Sequence, residues 1–284
     1  EARLRAHPWS RQAMRTWLLR GEGGQVLSSC ETFSMASRLV RDREEDAGHT
    51  YGVASVFTEE PLRGRGHAVE LLRRVHRRVA SEDPAAQAFI LYSEVGAGIY
   101  ERAGYAARPD QDEDLVFPPS TATGPGAAEL VPEAELERLL ARAERPAGGF
   151  LVWPSVLQLD WHRERERIYA EALGRPRAPG CGAEHPDGVA LWTGNLRSRC
   201  LYVLLMRAKT AEATGALVES ARRAAGAAGL ESVHVWKCPL PEGWSPASAA
   251  GQAVQRQQSL PMLCPMRPEV RAEDWTFIPR ALWI

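Results

Sequence analysis

The residues best suited to chemistry in this sequence stand together at positions 63–68. They are Arg63, Gly64, Arg65, Gly66, His67 and Ala68. An apolar run ends just before them at Phe57, and a helix-like run begins just after them near Val69. Glycines let backbone N–H groups approach an anion closely, and a following helix adds the positive end of its dipole. The stretch therefore predicts a loop that binds pyrophosphate.

Two common phosphate-binding loops do not match this stretch. A P-loop ends in Gly-Lys-Ser or Gly-Lys-Thr, whereas His67 and Ala68 follow Gly66 here. A dinucleotide-binding fingerprint needs a third glycine within a βαβ unit. The segment before the loop instead reads as an antiparallel meander, with strand-like runs at 16–19, 26–33 and 50–58.

Helical spacing follows the loop directly and predicts the element that must support it. Between residues 66 and 81, apolar side chains recur every three or four positions, with arginines on the opposite face. A short strand at 88–92, a short helix at 96–103 and another strand from Tyr105 are predicted next. Together these elements predict a mixed α/β (α+β) domain with a largely antiparallel sheet.

A change of composition after Phe117 predicts a domain boundary. Prolines, glycines and small polar residues dominate the following stretch, so we predict domains at 1–117 and 131–284, joined by a linker at 118–130. The second domain is predicted to be another α/β unit. Its strand at 201–206 is followed by Arg207, Ala208, Lys209 and Thr210, so it lacks a glycine loop. We expect this half to shape a substrate pocket or an interface.

Charge and composition exclude several classes of function. The chain of 284 residues has a formal net charge of −1, so no basic field would gather a nucleic acid. No apolar run is long enough to predict a membrane span. Five scattered cysteines without a C-x-x-C pair, and no visible signal peptide, predict reduced thiols in the cytoplasm and no metal site.

Two motifs together resemble the GCN5-related N-acetyltransferase (GNAT) superfamily. The first is Arg-x-x-Gly-x-Ala, formed by Arg63, Gly66 and Ala68 after the strand at 50–58. The second is Ile-Tyr-Glu-Arg-Ala-Gly-Tyr at 99–105, which is similar to the superfamily's Tyr-x-x-x-Gly-Phe/Tyr helix. The resemblance implies a GNAT fold, a second GNAT-like domain, and acetyl-CoA as co-substrate, with no metal.

The same resemblance implies roles for individual residues. Backbone groups of Ser55, Val56 and Phe57 would bind the pantetheine arm where two strands splay, and the amides of residues 64–68 would hold the pyrophosphate. Arg63 and Arg65 would add positive charge. The hydroxyl of Tyr100 would protonate the departing thiolate. Ser93 stands where many members have an asparagine that contacts the cofactor.

The base that deprotonates the amine is left open by the sequence. The superfamily's usual carboxylate lies near position 50, where this chain has threonine. Glu31 is a candidate because a carboxylate in an apolar strand is costly unless it has a task. The terminal carboxylate of Ile284 is another, since the apolar tail is expected to dock into the protein. His49, Glu59 and Glu60 are further alternatives.

Several longer stretches resemble fungal lysine N-acetyltransferases, among them 26–32, 51–58, 91–96, 192–196 and 233–236. This resemblance implies transfer to the side-chain amine of free L-lysine, for which Glu31, Asp160, Arg197 and Arg199 are available as charged partners. We expect a small-molecule amine as partner, with neither nucleic acid nor membrane, and the oligomeric state stays open. Other amines (an amino sugar, a polyamine, a toxin or a protein lysine) and a non-catalytic CoA-binding scaffold are the alternatives.

Overall fold

A computed structural model describes residues 2–41, 44–122 and 126–284 of the protein. Part of the predicted linker, residues 123–125, lies outside this description. The helices are α1 (Ala2–Ala6), α2 (Pro8–Ala13), α3 (His67–Glu82), α4 (Gly98–Glu101), α5 (Leu136–Arg142), α6 (Val156–Leu173) and α7 (Ala211–Ala227). The early strands are β1 (Met14–Arg20), β2 (Val26–Arg41), β3 (Glu44–Phe57), β4 (Ala86–Ser93), β5 (Ala106–Ala107), β6 (Glu113–Phe117) and β7 (Glu129–Val131). The later strands are β8 (Gly149–Val152), β9 (Gly182–His185), β10 (Gly188–Asn195), β11 (Cys200–Ala208), β12 (Ser232–Trp236), β13 (Gln252–Gln255) and β14 (Leu260–Pro265).

The strands form two sheets that share one local pattern. The first sheet has the order β1-β2-β3-β4-β14-β5, with β8 paired to β2. The second has the order β13-β6-β12-β11-β10-β9-β7. In the first, β3 connects through α3 to a parallel β4; in the second, β11 connects through α7 to a parallel β12. The predicted mixed α/β fold with a second, similar unit is confirmed.

The two sheets exchange strands across the predicted boundary. β6 lies within the predicted first domain, yet it pairs with β12 and β13 in the second sheet. Conversely, β14 comes from near the chain's C-terminus and pairs with β4 and β5 in the first sheet. The sheets therefore do not divide at residue 117, because each takes its strand beyond the parallel pair from the other half. The division into two domains stays a prediction.

α3 packs its apolar stripe on one face of the first sheet. Val69, Leu71, Leu72, Val75 and Val79 are buried there with residues of β3 and β4. The opposite face of that sheet is covered by the segment that follows β14, in which Trp275, Ile278 and Leu282 are buried. The tail therefore docks into the protein, as its apolar composition predicted.

Candidate active site

The first sheet opens where β3 and β4 diverge. Their parallel ladder ends at the pair Val53–Leu91, and no described residue of β4 pairs with residues 54–57. On its other edge, β3 stays paired with β2 through a register shift between Ser29 and Glu31. Ser55 lies at this bulge with a φ of 53°, a left-handed conformation that is uncommon outside glycine. The divergence leaves one edge of β3 available to a ligand.

The predicted anion loop begins where β3 ends. A 3-10 turn at Glu60–Leu62 is followed by Arg63, whose Nε donates to the carbonyl of Thr58 at 3.0 Å. Gly64 and Gly66 have φ values of 77° and 80°, which a residue with a side chain adopts only with strain. Gly66 is the N-cap of α3, so the helix starts at the loop and directs its first amides there.

A single cleft of about 960 Å³ connects these features. Ten of the predicted site residues line it: Ser55, Val56, Phe57, Arg63, Gly64, Gly66, His67, Ala68, Tyr100 and Ile284. Glu31, Arg65 and Ser93 are not among the lining residues. The volume falls in the range of pockets that hold cofactors, roughly 300–1,000 Å³. Residues that are distant in sequence thus share one continuous cavity.

Tyr100 reaches this cleft from α4. Its ring meets that of Tyr105 edge-on, with 6.0 Å between centroids. Burial raises the pKa of Tyr100 above its ordinary value of 10.0, and the charges of Cys30 and Glu94 add to the effect. The phenol therefore keeps its proton at neutral pH, which suits a proton donor and excludes a base.

Two residues expected to contact the cofactor are not among the residues that line the cleft. Ser93 is fully buried; its hydroxyl donates to the carbonyl of Gly96 at 2.5 Å and accepts from the amide of Val95 at 3.2 Å. The hydroxyl therefore closes the turn after β4 and does not face the cleft. Arg65 is exposed and does not line the cleft, whereas its neighbours Gly64 and Gly66 do.

Glu31 lies beside the bulge and does not line the cleft. Alternation along β2 sets it on the same face as Phe33, which packs against the C-terminal tail. One carboxylate oxygen accepts from Arg5 at 2.6 Å, and the other accepts from the hydroxyl of Ser55 at 3.0 Å. Glu31 thus reaches the cleft only through Ser55, and its role as base stays a prediction.

The other base candidates are separated from the reacting region. His49 lies toward the opposite end of β3, opposite Ala86, and its Nδ1 is 2.8 Å from a carboxylate oxygen of Asp83. Glu59 and Glu60 are exposed at the start of the loop. None of the three lines the cleft.

The charged residues considered for an amino-acid substrate are mostly engaged with other side chains. Asp160 accepts from Arg167 at 2.9 Å and lies 3.1 Å from the ring of His7. Arg199 forms an ion pair of 2.6 Å with Glu231. Arg197 lies over the ring of Tyr169, 5.8 Å from its centroid.

Ile284 enters the cleft from the face opposite α3. A Cβ atom added to Gly52 would lie 2.6 Å from its Cδ1, so a glycine in β3 is what lets the tail approach the sheet this closely. The neighbouring Leu282 and Trp283 also line the cleft, as does Tyr92 of β4. The sequence did not predict Tyr92 and Trp283 as site residues. Tyr92 was recognisable only as an aromatic residue at the end of a strand, and Trp283 only as one within an apolar tail.

The second half has no comparable loop. β11 ends at Ala208, and only Lys209 and Thr210 precede α7, whose first turn is capped by the Thr210 hydroxyl. This unit repeats the strand-helix-strand pattern without glycines that could admit a pyrophosphate, as the sequence predicted. Among the described residues, no group of three or more metal-binding side chains occurs, and no helix is long and apolar enough to cross a membrane.

A family profile described as the LYC1 GNAT-like C-terminal domain matches residues 129–283, more than half of the chain. The chain belongs to the LYC1 GNAT-like family. No curated protein is similar enough to match. The family match covers the unit without the glycine loop, so the assignment is independent of the loop motifs.

Solved structures share the fold of this LYC1 GNAT-like chain. A GCN5-related N-acetyltransferase from Anabaena variabilis superposes with a TM-score of 0.53 at 15% identity, over 94% of this chain and 66% of that one. A probable N-acyltransferase from Enterococcus faecalis gives 0.53 at 15% identity, with coverages of 89% and 62%. Eis1 from Mycobacterium abscessus gives 0.52 at 15% identity, with coverages of 89% and 64%. The chain spans less than two thirds of each of these proteins, and the likeness is one of GNAT fold.

Proposed function

We propose that this protein is an N-acetyltransferase that moves an acetyl group from acetyl-CoA directly to the primary amine of a small molecule. The observation that carries the proposal is the single cleft in which the open edge of β3, the glycine loop and Tyr100 meet. Family membership supports the same conclusion.

The residues present fit acetyl-CoA along the whole cleft. Positive φ angles at Gly64 and Gly66 turn the loop, and a Cβ at either position would meet nothing within 4 Å, so the space above both glycines is open. The amides of residues 64–68 and the N-terminus of α3 would hold the pyrophosphate. The backbone of Ser55, Val56 and Phe57 would hydrogen-bond the pantetheine arm as an added strand would.

Acetyl-CoA supplies a thioester, and the chain's own residues would handle the protons. Tyr100 would donate its phenolic proton to the sulfur as the carbon–sulfur bond breaks, because its raised pKa keeps that proton available. The attacking amine must lose one proton as the amide bond forms. Glu31, acting through the Ser55 hydroxyl, and a carboxylate at Ile284 are the two proposed acceptors of that proton.

L-Lysine is the first acceptor we propose, through its side-chain amine. The resemblance of several stretches to fungal lysine N-acetyltransferases supports this choice. We propose the cytoplasm as the location, in keeping with five cysteines that are all free.

Thermal unfolding with increasing acetyl-CoA, followed by thiol release across a panel of amines, tests the proposal. A ligand present at 100 times its Kd stabilises a protein by about 2.7 kcal/mol, which is measurable as a rise in Tm. Absence of any stabilisation would remove the cofactor site. Stabilisation without thiol release on any amine would instead identify a CoA-binding scaffold.

A further inference from the structure

Arg280 is a buried cation without an anionic partner. Its side chain is enclosed by three aromatic rings, with the guanidinium carbon 4.3 Å from the centroid of Tyr202, 4.6 Å from that of Trp236 and 4.2 Å from that of Trp283. The residue is only 6% exposed, and no ion pair or side-chain hydrogen bond joins its guanidinium to another described residue. Buried charges in proteins are normally paired, so this one calls for an explanation.

The carboxylate of Asp114 does not pair with Arg280. Asp114 acts on it electrostatically, but its Oδ2 lies 2.7 Å from Nδ1 of His234, and no ion pair with Arg280 forms. Burial lowers the pKa of Arg280 to about 10, which still leaves the guanidinium charged at neutral pH.

Arg165 brings a second charge to the same place. Its guanidinium carbon lies 4.8 Å from the ring centroid of Trp283, and the phenol of Tyr169 acts on it electrostatically. No carboxylate among the described residues forms an ion pair with Arg165. Both arginines line one small cavity, together with the polar side chains of Thr193 and Asn195. No aspartate or glutamate lines it, so the cavity is positively charged and rich in hydrogen-bond donors.

This cavity lies directly behind the wall of the cleft. Trp283 lines both spaces, with Arg280 and Arg165 packed on its ring. On the neighbouring stretch of wall, Tyr92 lines the cleft and packs on Trp236, with 5.1 Å between ring centroids. The ring of Trp283 is therefore shared by the cleft and by the cavity that the two arginines line.

The size of the cavity limits what it can bind. Its volume is about 20 Å³, enough for one water-sized group. A carboxylate is planar, matches the fork of a guanidinium and is the smallest organic anion of that kind. One carboxylate oxygen matches a space of this size, and the rest of the group would need the ring of Trp283 to move aside.

We propose that Arg165 and Arg280 form the acceptor subsite, which recognises a carboxylate carried by the same molecule as the attacking amine. The acceptor's amine and carbon chain lie in the cleft, and its carboxylate displaces the edge of Trp283 to reach the two arginines. This inference rests on the proposed acetyl transfer, and it adds the two residues that would bind the carboxylate of the acceptor.

Paired acceptors that differ only in the carboxylate give the test. The pairs are L-lysine with L-lysinamide and β-alanine with β-alaninamide, and kcat/KM is measured for each with wild type and Arg165→Gln. Losing a hydrogen bond to a charged group should lower kcat/KM for the carboxylates by roughly 10- to 100-fold, mainly through KM. The kcat/KM for the amide acceptors and the KM for acetyl-CoA should not change.

Arg207→Gln is the matched control. Arg207 also lies over an aromatic ring, 5.2 Å from the centroid of Phe277, but it lines neither the cleft nor this cavity. Arg207→Gln should leave unchanged the ratio of kcat/KM for each carboxylate acceptor to kcat/KM for its amide. Arg280→Lys is the second variant, since it keeps a charge within the aromatic enclosure while removing the fork, and it should also lower the preference for carboxylates.

Three results would overturn the subsite. One is a wild-type enzyme that acetylates the amides as well as the carboxylates; another is equal loss for both members of a pair in Arg165→Gln. The third is stabilisation by sodium formate without any change in acceptor preference, which would mark a structural anion. Failure of the proposed function gives a different result, because the wild-type protein would then release no thiol with any amine. Calorimetric titration with L-lysine would still test the subsite in that case. Equal affinity of wild type and Arg165→Gln for L-lysine would overturn the subsite.

Discussion

Replacing Gly66 by alanine, with a matched control, distinguishes an effect on the geometry of the predicted anion loop from an effect on the stability of the fold. Gly66 has a φ of 80°, and a Cβ built there meets nothing within 4 Å. The substitution therefore causes no clash, and its cost comes from the left-handed backbone, about 1–2 kcal/mol. If the loop relaxes to avoid that strain, the amides at the start of α3 turn away from the pyrophosphate.

Gly229→Ala is a control with the same local strain. Gly229 follows α7 with a φ of 64°, is exposed like Gly66, and also has open space around its Cβ position. Both variants should lose similar stability, with each kcal/mol lowering Tm by about 2–4 °C. Gly229 lies outside the cleft lining, so its substitution should leave coenzyme binding unchanged.

Calorimetric titration with CoA measures the difference between the two variants. Loss of one amide contact to the pyrophosphate, a hydrogen bond to a charged group, costs about 1.5–3 kcal/mol, which is roughly a 10- to 100-fold increase in Kd. Only Gly66→Ala should show it. A Kd for Gly66→Ala within about threefold of wild type, at this level of sensitivity, would refute the reasoning that these amides bind the pyrophosphate.

Three further predictions address the reaction and the core. Tyr100→Phe should lower kcat by about 100-fold or more with little change in the KM for acetyl-CoA. In the pH profile of wild type, a fall in kcat with an alkaline midpoint well below 10 would contradict the raised pKa of Tyr100. Deleting Ile284 should lower kcat by about 100-fold if it supplies the base, and near-normal turnover would eliminate it. Burial lowers the pKa of His76 to about 4, so as pH falls the unfolded chain takes up this proton before the folded one does. The free energy of unfolding should therefore fall as pH drops from 6.5 towards 4, by up to about 1.4 kcal/mol per pH unit. His76→Gln should flatten this slope in urea unfolding curves; an unchanged slope would assign it to other groups.

Regular local patterns made some elements predictable from sequence. The spacing of Leu71, Leu72, Val75 and Val79 predicted α3, which begins within one residue of the predicted start. β12 covers the stretch 233–236, in which valine and tryptophan, both common in strands, predominate. β2 and β3 are longer than predicted, since residues 34–41 and 44–49 pair with each other and continue both strands.

Longer-range pairing was beyond the sequence. β14 and β6 are short, and nothing local in them indicates that each joins the sheet of the other half. That choice depends on which sheet leaves an edge free beside β4 or β12. The same limit applies to Ser93, whose hydroxyl was expected at the cofactor but is used by a turn that forms only when β4 ends there.

The sequence by itself determined the anion loop, the helix behind it and the tyrosine at 100, because glycine conformations and helical periodicity are local properties of a chain. Only the tertiary structure decided what surrounds them. It brought Ile284 against Gly52 and enclosed Arg280 among three aromatic rings. Such neighbours are fixed by long-range packing between two sheets, and burial of an arginine without a carboxylate partner contradicts its ordinary preference for the surface. Motifs were therefore enough to propose the cofactor end of the site, whereas the proposed acceptor end required the fold.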